Sequence, residues 1–172
     1  MVENGSTNTS YEIIRQLSET DPRIASIKLA RNIGIDSGIT AGFKCATEDA
    51  VIFMASDLHD PPMSIPLLPR KWEEEFDNVY AIVSKRLEIS VIQKINSQIF
   101  CWLANKLTRN AIPRNVSDFR LLSRKAYETL CGLEEANRVI RGLVGWMWFK
   151  SVGIKLDRPH ALLKLARHTL GP

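Results

Sequence analysis

The stretch Ala50-Val51-Ile52-Phe53-Met54-Ala55-Ser56-Asp57-Leu58-His59-Asp60-Pro61-Pro62 decides the fold class. Its first five residues form an unbroken apolar run, the pattern of a strand covered on both faces. An acid directly after such a strand has few structural duties, and open α/β sheets bind ligands at the carboxyl ends of their strands. Asp57 and His59 alternate, so an extended segment would point both the same way. They would offer oxygen and nitrogen to a divalent ion that also touches a diphosphate. Asp60, followed by two prolines, reads as the N-cap of a helix that ends near Glu75.

Outward from this stretch the first 85 residues alternate strand-like and helix-like patterns, which predicts βαβ units and a mostly parallel sheet flanked by helices. Ile24 to Leu29 and Val79 to Val83 supply two further β-branched runs. Ile13, Ile14 and Leu17 sit at helical spacing behind several possible caps in Thr7 to Ser10. Ser37 to Ala46 reads as a small-residue helix whose glycines and alanines permit close approach. At the start, Val2-Glu3-Asn4-Gly5-Ser6-Thr7 is a short apolar beginning that runs into a polar turn. Its acidic and amide side chains can hold a base or ribose, although turn and cap duty would also explain them.

The second half differs in kind. Residues 1 to 78 carry 7 Lys and Arg against 13 Asp and Glu, a balance of −6, whereas residues 79 to 172 carry 16 against 6, a balance of +10. Such a half wants an anionic partner, be it phosphates, a lipid surface or nucleic acid, unless it is an ordinary solvated basic surface. Arg114, Arg120 and Arg124 surround the single acid Asp118, and their fork-shaped donors match phosphate geometry. Ile92, Ile95, Ile99 and Trp102 form an apolar stripe on a helix predicted from about Ile89 to Leu107, which would lie either on the sheet or in a membrane interface. The Trp-rich stretch Val139 to Phe149 has the same two readings.

At 172 residues, 45% hydrophobic and 24% charged, the composition is that of one globular domain able to bury a core without staples. Cys45, Cys101 and Cys131 are odd in number and widely spaced, which argues against a disulfide framework and for a reducing cytosol. No run reaches the roughly 18 apolar residues of a spanning helix, and Met1 to Ser10 has no signal-peptide character. A protein neither secreted nor membrane-spanning by its own sequence is expected.

Several strings together carry a resemblance. They are Glu3-Asn4-Gly5-Ser6-Thr7, Leu29-Ala30-Arg31-Asn32-Ile33-Gly34, Ile39-Thr40-Ala41-Gly42, Ala55 to Pro62, Ser117-Asp118-Phe119-Arg120-Leu121-Leu122-Ser123-Arg124 and Arg141-Gly142-Leu143. Their order and spacing resemble family 2 glycosyltransferases of the GT-A (Rossmann-like) fold, most closely the polyprenyl-phosphate (dolichol- or bactoprenol-phosphate) hexosyltransferases, over Val2 to about Pro159. The resemblance implies a catalytic domain over 1–159, a tail over 160–172 and a first βα unit lacking at the start. It implies inverting transfer of a hexose from a nucleotide-diphosphate sugar to a polyprenyl phosphate, assisted by Mg or Mn.

By the same resemblance Glu3, Asn4, Gly5, Ser6 and Asp57 bind the nucleotide sugar, Asp57 and His59 hold the metal, and Asp118 is the active-site acid. Arg114, Arg120 and Arg141 contact the acceptor phosphate. The family's Asp-x-Asp metal motif stands here as Ala55-Ser56-Asp57, so one carboxylate is gone and the metal site is expected to be weakened. The partners implied are the sugar nucleotide, the polyprenyl lipid and a membrane surface, with self-association or a separate membrane subunit, and no nucleic acid. The location implied is cytoplasmic, peripheral at the inner face of the cytoplasmic membrane. A rival reading is a degenerate, non-catalytic relative acting as a binding module at that surface.

Overall fold

The computed structural model describes residues 1–57, 59–83, 116–133 and 139–156. The amphipathic stripe of Ile92 to Trp102, Arg114 and the tail from 160 onward lie outside the described residues.

The elements run β1 (Val2–Glu3), α1 (Ser10–Thr20), β2 (Ile27–Lys28), α2 (Ile35–Lys44), β3 (Ala50–Phe53), a 3-10 turn (Pro62–Ser64), α3 (Leu67–Trp72), β4 (Asn78–Val83), β5 (Val116–Ser123), α4 (Arg124–Gly132), α5 (Ile140–Trp146) and β6 (Ser151–Leu156). The α/β class and the three strands predicted from apolar runs are present, with Ile24–Leu29 trimmed to β2. The helix expected between Asp60 and Glu75 is divided into the 3-10 turn and the short α3, since Pro66 and Pro69 interrupt the hydrogen-bond ladder.

The sheet is mixed rather than mostly parallel. β1 and β2 pair in parallel as a two-stranded ribbon, and a four-stranded sheet has the order β3-β5-β4-β6. β4 and β6 are parallel, but β5 runs antiparallel to both β3 and β4. Strand sense is not encoded in hydrophobic periodicity, and β5 enters between two strands that precede it by many residues.

β5 divides the core by its two-residue alternation. Phe119 and Leu121 pack with Leu68 of α3, Val79 and Ala81 of β4 and Leu156 of β6. Leu122 faces the other way and joins Ile39 and Phe43 of α2, Tyr127 and Leu130 of α4, and Leu143 and Val144 of α5. Each fully buried Leu or Phe contributes roughly 1.5–3 kcal/mol relative to exposure. Ser123 closes β5 and starts α4, its Oγ accepting the Ala126 N–H.

Between Tyr80 and Ile82 of β4 the β5 register shifts, because Tyr80 pairs with Arg120 but Ile82 pairs with Val116. Residues 117–119 of β5 therefore face one residue of β4. Such bulges bend a strand and re-aim its side chains, here at Asp118.

Candidate functional site

The turn after β1 is built on Gly5. Its φ is +70°, and an ideal Cβ there would fall 2.2 Å from the Arg31 carbonyl carbon and 2.3 Å from the Asn32 nitrogen. Only glycine permits both that conformation and the backbone crossing. Asn4 secures the crossing: its Oδ1 accepts the Ile33 N–H at 3.2 Å, and its Nδ2 donates to the Gly34 carbonyl at 3.0 Å. The Asn32 Oδ1 in turn accepts the Gly34 N–H at 2.9 Å, which sets the chain to enter α2. Turn duty thus accounts for Asn4 and Gly5.

Glu3 has more than turn duty. It is buried, Oε1 accepts the Ser6 N–H, and Oε2 is buried with no hydrogen-bond partner. The Ser6 N–H and hydroxyl hold this carboxyl below the usual 4.5, with Lys28 adding a smaller pull. An ionised acceptor with an unused buried oxygen suits a ligand that brings an N–H or O–H donor.

The loop after β3 brings Asp57 and His59 together, though by a turn rather than an extended segment. The Asp57 Oδ1 accepts the His59 backbone N–H at 3.1 Å, and its Oδ2 lies 3.0 Å from His59 Nδ1. With Nδ1 occupied, Nε2 is the imidazole's remaining donor to a cation. Among the described residues no group of three or more His, Cys, Asp and Glu could hold a metal, and Ala55 supplies no side-chain oxygen. The donor set fits an ion whose other positions are filled by water and a diphosphate, not an all-protein cage.

Asp60 corrects an expectation. Pro61, not Asp60, occupies the N-cap position of the 3-10 turn, and no side-chain cap is formed. Asp60 is buried, and its Oδ2 accepts the Ser117 hydroxyl at 2.9 Å. No local pattern signals this bond, whose partners are 57 residues apart.

Ser117 leads into Asp118, which forms a two-pronged ion pair with Nε and Nη2 of Arg141 on α5. The pair is half-exposed, and Asp118 raises the pKa of the Arg141 guanidinium above that of a free one. Arg120 is buried, and its Nη2 donates to the Ser117 carbonyl at 3.4 Å. Burial pushes it down to about 10, with Asp118 opposing that shift and Arg141 adding to it. Arg124, grouped by sequence with the other arginines, turns away to the Thr47 carbonyl and Asp49.

Asp36, on the first turn of α2, was not singled out from sequence. Its Oδ1 accepts the Ile140 N–H at 3.1 Å, and its charge acts on both Arg120 and Arg141. An acid in a first helical turn ordinarily signals only dipole complementation.

These groups form one connected path. Asn4 binds Gly34, two residues before Asp36; Asp36 binds Ile140, beside Arg141; Arg141 binds Asp118, next to Ser117; and Ser117 binds Asp60, next to His59. The regions predicted to hold nucleotide, metal and phosphate are thereby linked through hydrogen bonds, an ion pair and the short stretches of chain between them.

The sequence profile of "Glycosyl transferase family 2" matches residues 1–131. The chain is 36% identical over 169 residues to "Uncharacterized glycosyltransferase YkcC" of Bacillus subtilis, covering 98% of this chain and 52% of that protein. It is 34% identical over 146 residues to "Bactoprenol glucosyl transferase" of Shigella phage SfX, covering 85% and 48%. Against "Prophage bactoprenol glucosyl transferase homolog" of Escherichia coli it is 33% identical over 150 residues, covering 87% and 49%. The chain spans about half the length of these relatives. Divalent metal is typical of the family. With the profile matching well over half of its residues, the chain belongs to glycosyl transferase family 2 and carries that family's GT-A type of α/β fold.

Proposed function

We propose that the chain transfers a hexose from a nucleotide-diphosphate sugar to a polyprenyl phosphate, with inversion. The observation that carries this reading is the Asp118–Arg141 pair beside buried Arg120, joined through Ser117 and Asp60 to the loop of Asp57 and His59. The bactoprenol glucosyl transferases among the relatives support the acceptor class.

A phosphate monoester has a second pKa of about 6 and is already an anionic nucleophile at neutral pH. Transfer therefore needs alignment and charge neutralisation more than a strong base. A phosphate oxygen forms the new bond to the sugar's anomeric carbon as the bond to the nucleoside diphosphate breaks. Arg141 and Arg120 neutralise the acceptor, and Asp118 orients Arg141. Glu3 and Ser6 hold the nucleoside on the turn that Asn4 and Gly5 shape, with the unused oxygen of Glu3 free to accept a donor from it. Asp57 and His59 would hold Mg or Mn, which when bound neutralises the departing diphosphate.

The acceptor lives in a membrane, so the chain sits peripherally at the inner face of the cytoplasmic membrane, and the Trp-rich stretch supports the interfacial part of that reading. Its Ile140, Leu143 and Val144 are buried, but Trp146 and Trp148 are 60% and 76% exposed. Amphipathic tryptophans of this kind suit a lipid interface. No helix among the described residues is long and apolar enough to cross a membrane.

The test is a transfer assay with labelled sugar nucleotides, polyprenyl phosphate vesicles and Mn. Mn-dependent labelling of the lipid that Asp118→Asn abolishes supports the reading. Labelling of water alone, or binding of neither nucleoside diphosphate nor lipid phosphate, would refute it.

A further inference from the structure

We infer that Asp36 is a positioning residue, whose hydrogen bond to the Ile140 backbone N–H holds Arg141 turned toward Asp118. The inference rests on the acceptor-phosphate reading of Arg141 above.

α5 has only seven residues and its N-cap residue Val139 offers no side-chain cap. A helix that short takes its place from tertiary contacts. Ile140, Leu143 and Val144 anchor it by burial, but apolar contacts are non-directional and leave rotation and sliding open. The bond from Asp36 Oδ1 to the Ile140 N–H, 3.1 Å long and spanning 104 residues, is directional and sits one residue from Arg141. It fixes the Val139–Ile140 peptide, one residue before Arg141, and so sets the start of α5 from which Nε and Nη2 of Arg141 meet the two Asp118 oxygens together.

The charges agree with this placement. Asp36 and Asp118 balance Arg120 and Arg141, so the cluster is neutral until an anion arrives. α2 itself is fixed, because Asn4 holds Gly34 at its N-cap and Ile39 and Phe43 are buried. Asp36 therefore couples the turn that follows β1 to the arginine of the acceptor site.

The experiment uses the full chain with arginine side chains labelled by 15N. A carboxylate-bonded Nε–H of Arg141 gives a shifted, exchange-protected resonance, assigned by its loss in Arg141→Lys. Binding of farnesyl phosphate, a short isoprenyl phosphate, is measured by calorimetry alongside. We expect Asp36→Ala to return the resonance toward that of free arginine and to weaken farnesyl phosphate about tenfold. Asp36→Asn keeps an oxygen acceptor and is expected to retain both. Unchanged resonance and affinity in a folded Asp36→Ala protein would overturn the inference. Equal loss of resonance and of cooperative melting in both variants would also overturn it, since Asp36 would then serve folding alone. Wild type that fails to bind farnesyl phosphate, while Asp36→Ala still releases the Arg141 resonance, would refute the acceptor reading and leave the positioning role intact.

Discussion

Asp60 and Ser117, 57 residues apart in sequence, share a buried hydrogen bond of 2.9 Å that fastens the loop of Asp57 and His59 to the strand carrying Asp118. Removing one partner leaves the other's polar group buried and less satisfied, a loss of about 1–3 kcal/mol. Ser117→Ala is expected to lower unfolding free energy by that amount in urea titrations. It should also weaken Mn-dependent nucleotide binding, because the loop loses its tie. Unaltered stability would mean that water replaces the hydroxyl.

Gly5→Ala puts a Cβ against the Arg31 and Asn32 backbone at a positive φ. Neither backbone segment can yield easily, so a loss of about 2 kcal/mol or more is expected in thermal or urea melts. Ser6→Ala, one residue on, should cost far less.

Arg120 is a buried cation that feels the charges of Asp118 and Asp36, and Asp118 is already engaged by Arg141. Arg120→Met leaves the Asp118–Arg141 ion pair in place but removes one of the two cations of the cluster, so lipid-phosphate binding should fall in calorimetry. The pH dependence follows from the group's folded value of about 10, below that of a free guanidinium. Between those values the unfolded chain binds more protons, so this residue's contribution to stability rises as pH climbs through about 10. Urea melts from pH 9 to 11 should be steeper in their pH dependence for wild type than for Arg120→Met.

Glu3 titrates in the opposite sense. Its folded carboxyl lies below the usual 4.5, so its contribution is present above that value and is lost as pH falls through the lower folded one. Glu3→Gln should flatten this part of an acid melting series and weaken nucleoside diphosphate binding at pH 7. A series unchanged by the substitution would contradict the bond to Ser6.

Ala55→Asp restores a second acid to the loop after β3 and should strengthen Mn-dependent nucleotide binding at least tenfold in calorimetry, while Asp57→Ala should remove it. Tight binding insensitive to Asp57→Ala would show that the metal is held elsewhere.

How much of this was legible depends on where each signal resides. The run Ala50 to Met54 predicted β3, whose residues pack alternately against the two cores but, at the edge of the sheet, are only half-buried. Ile13, Ile14 and Leu17 predicted α1, although Ile13 and Leu17 remain exposed. β5 was read as a cluster of arginines around an acid because Asp118 and Arg120 interrupt its apolar pattern, and they do so because they serve the site. Arg141 was legible only through the family resemblance, and its pairing with Asp118 was not. Asp36 and Asp60 were missed as site residues because their partners stand 104 and 57 positions away, and no local period records such a bond.

The place of β5 has a consequence for biosynthesis. β3 and β4 do not pair with each other, and Phe119, Leu121 and Leu122 of β5 are central to the two packed cores. A nascent chain that has not yet delivered residues 116–123 presents two apolar strands with unfilled edges and neither core complete. Such long-range closure is slow, and edges left open meanwhile pair with other chains. The first half of this protein therefore depends on prompt arrival of the second, and a ribosome stalled before codon 116 would release an aggregation-prone product.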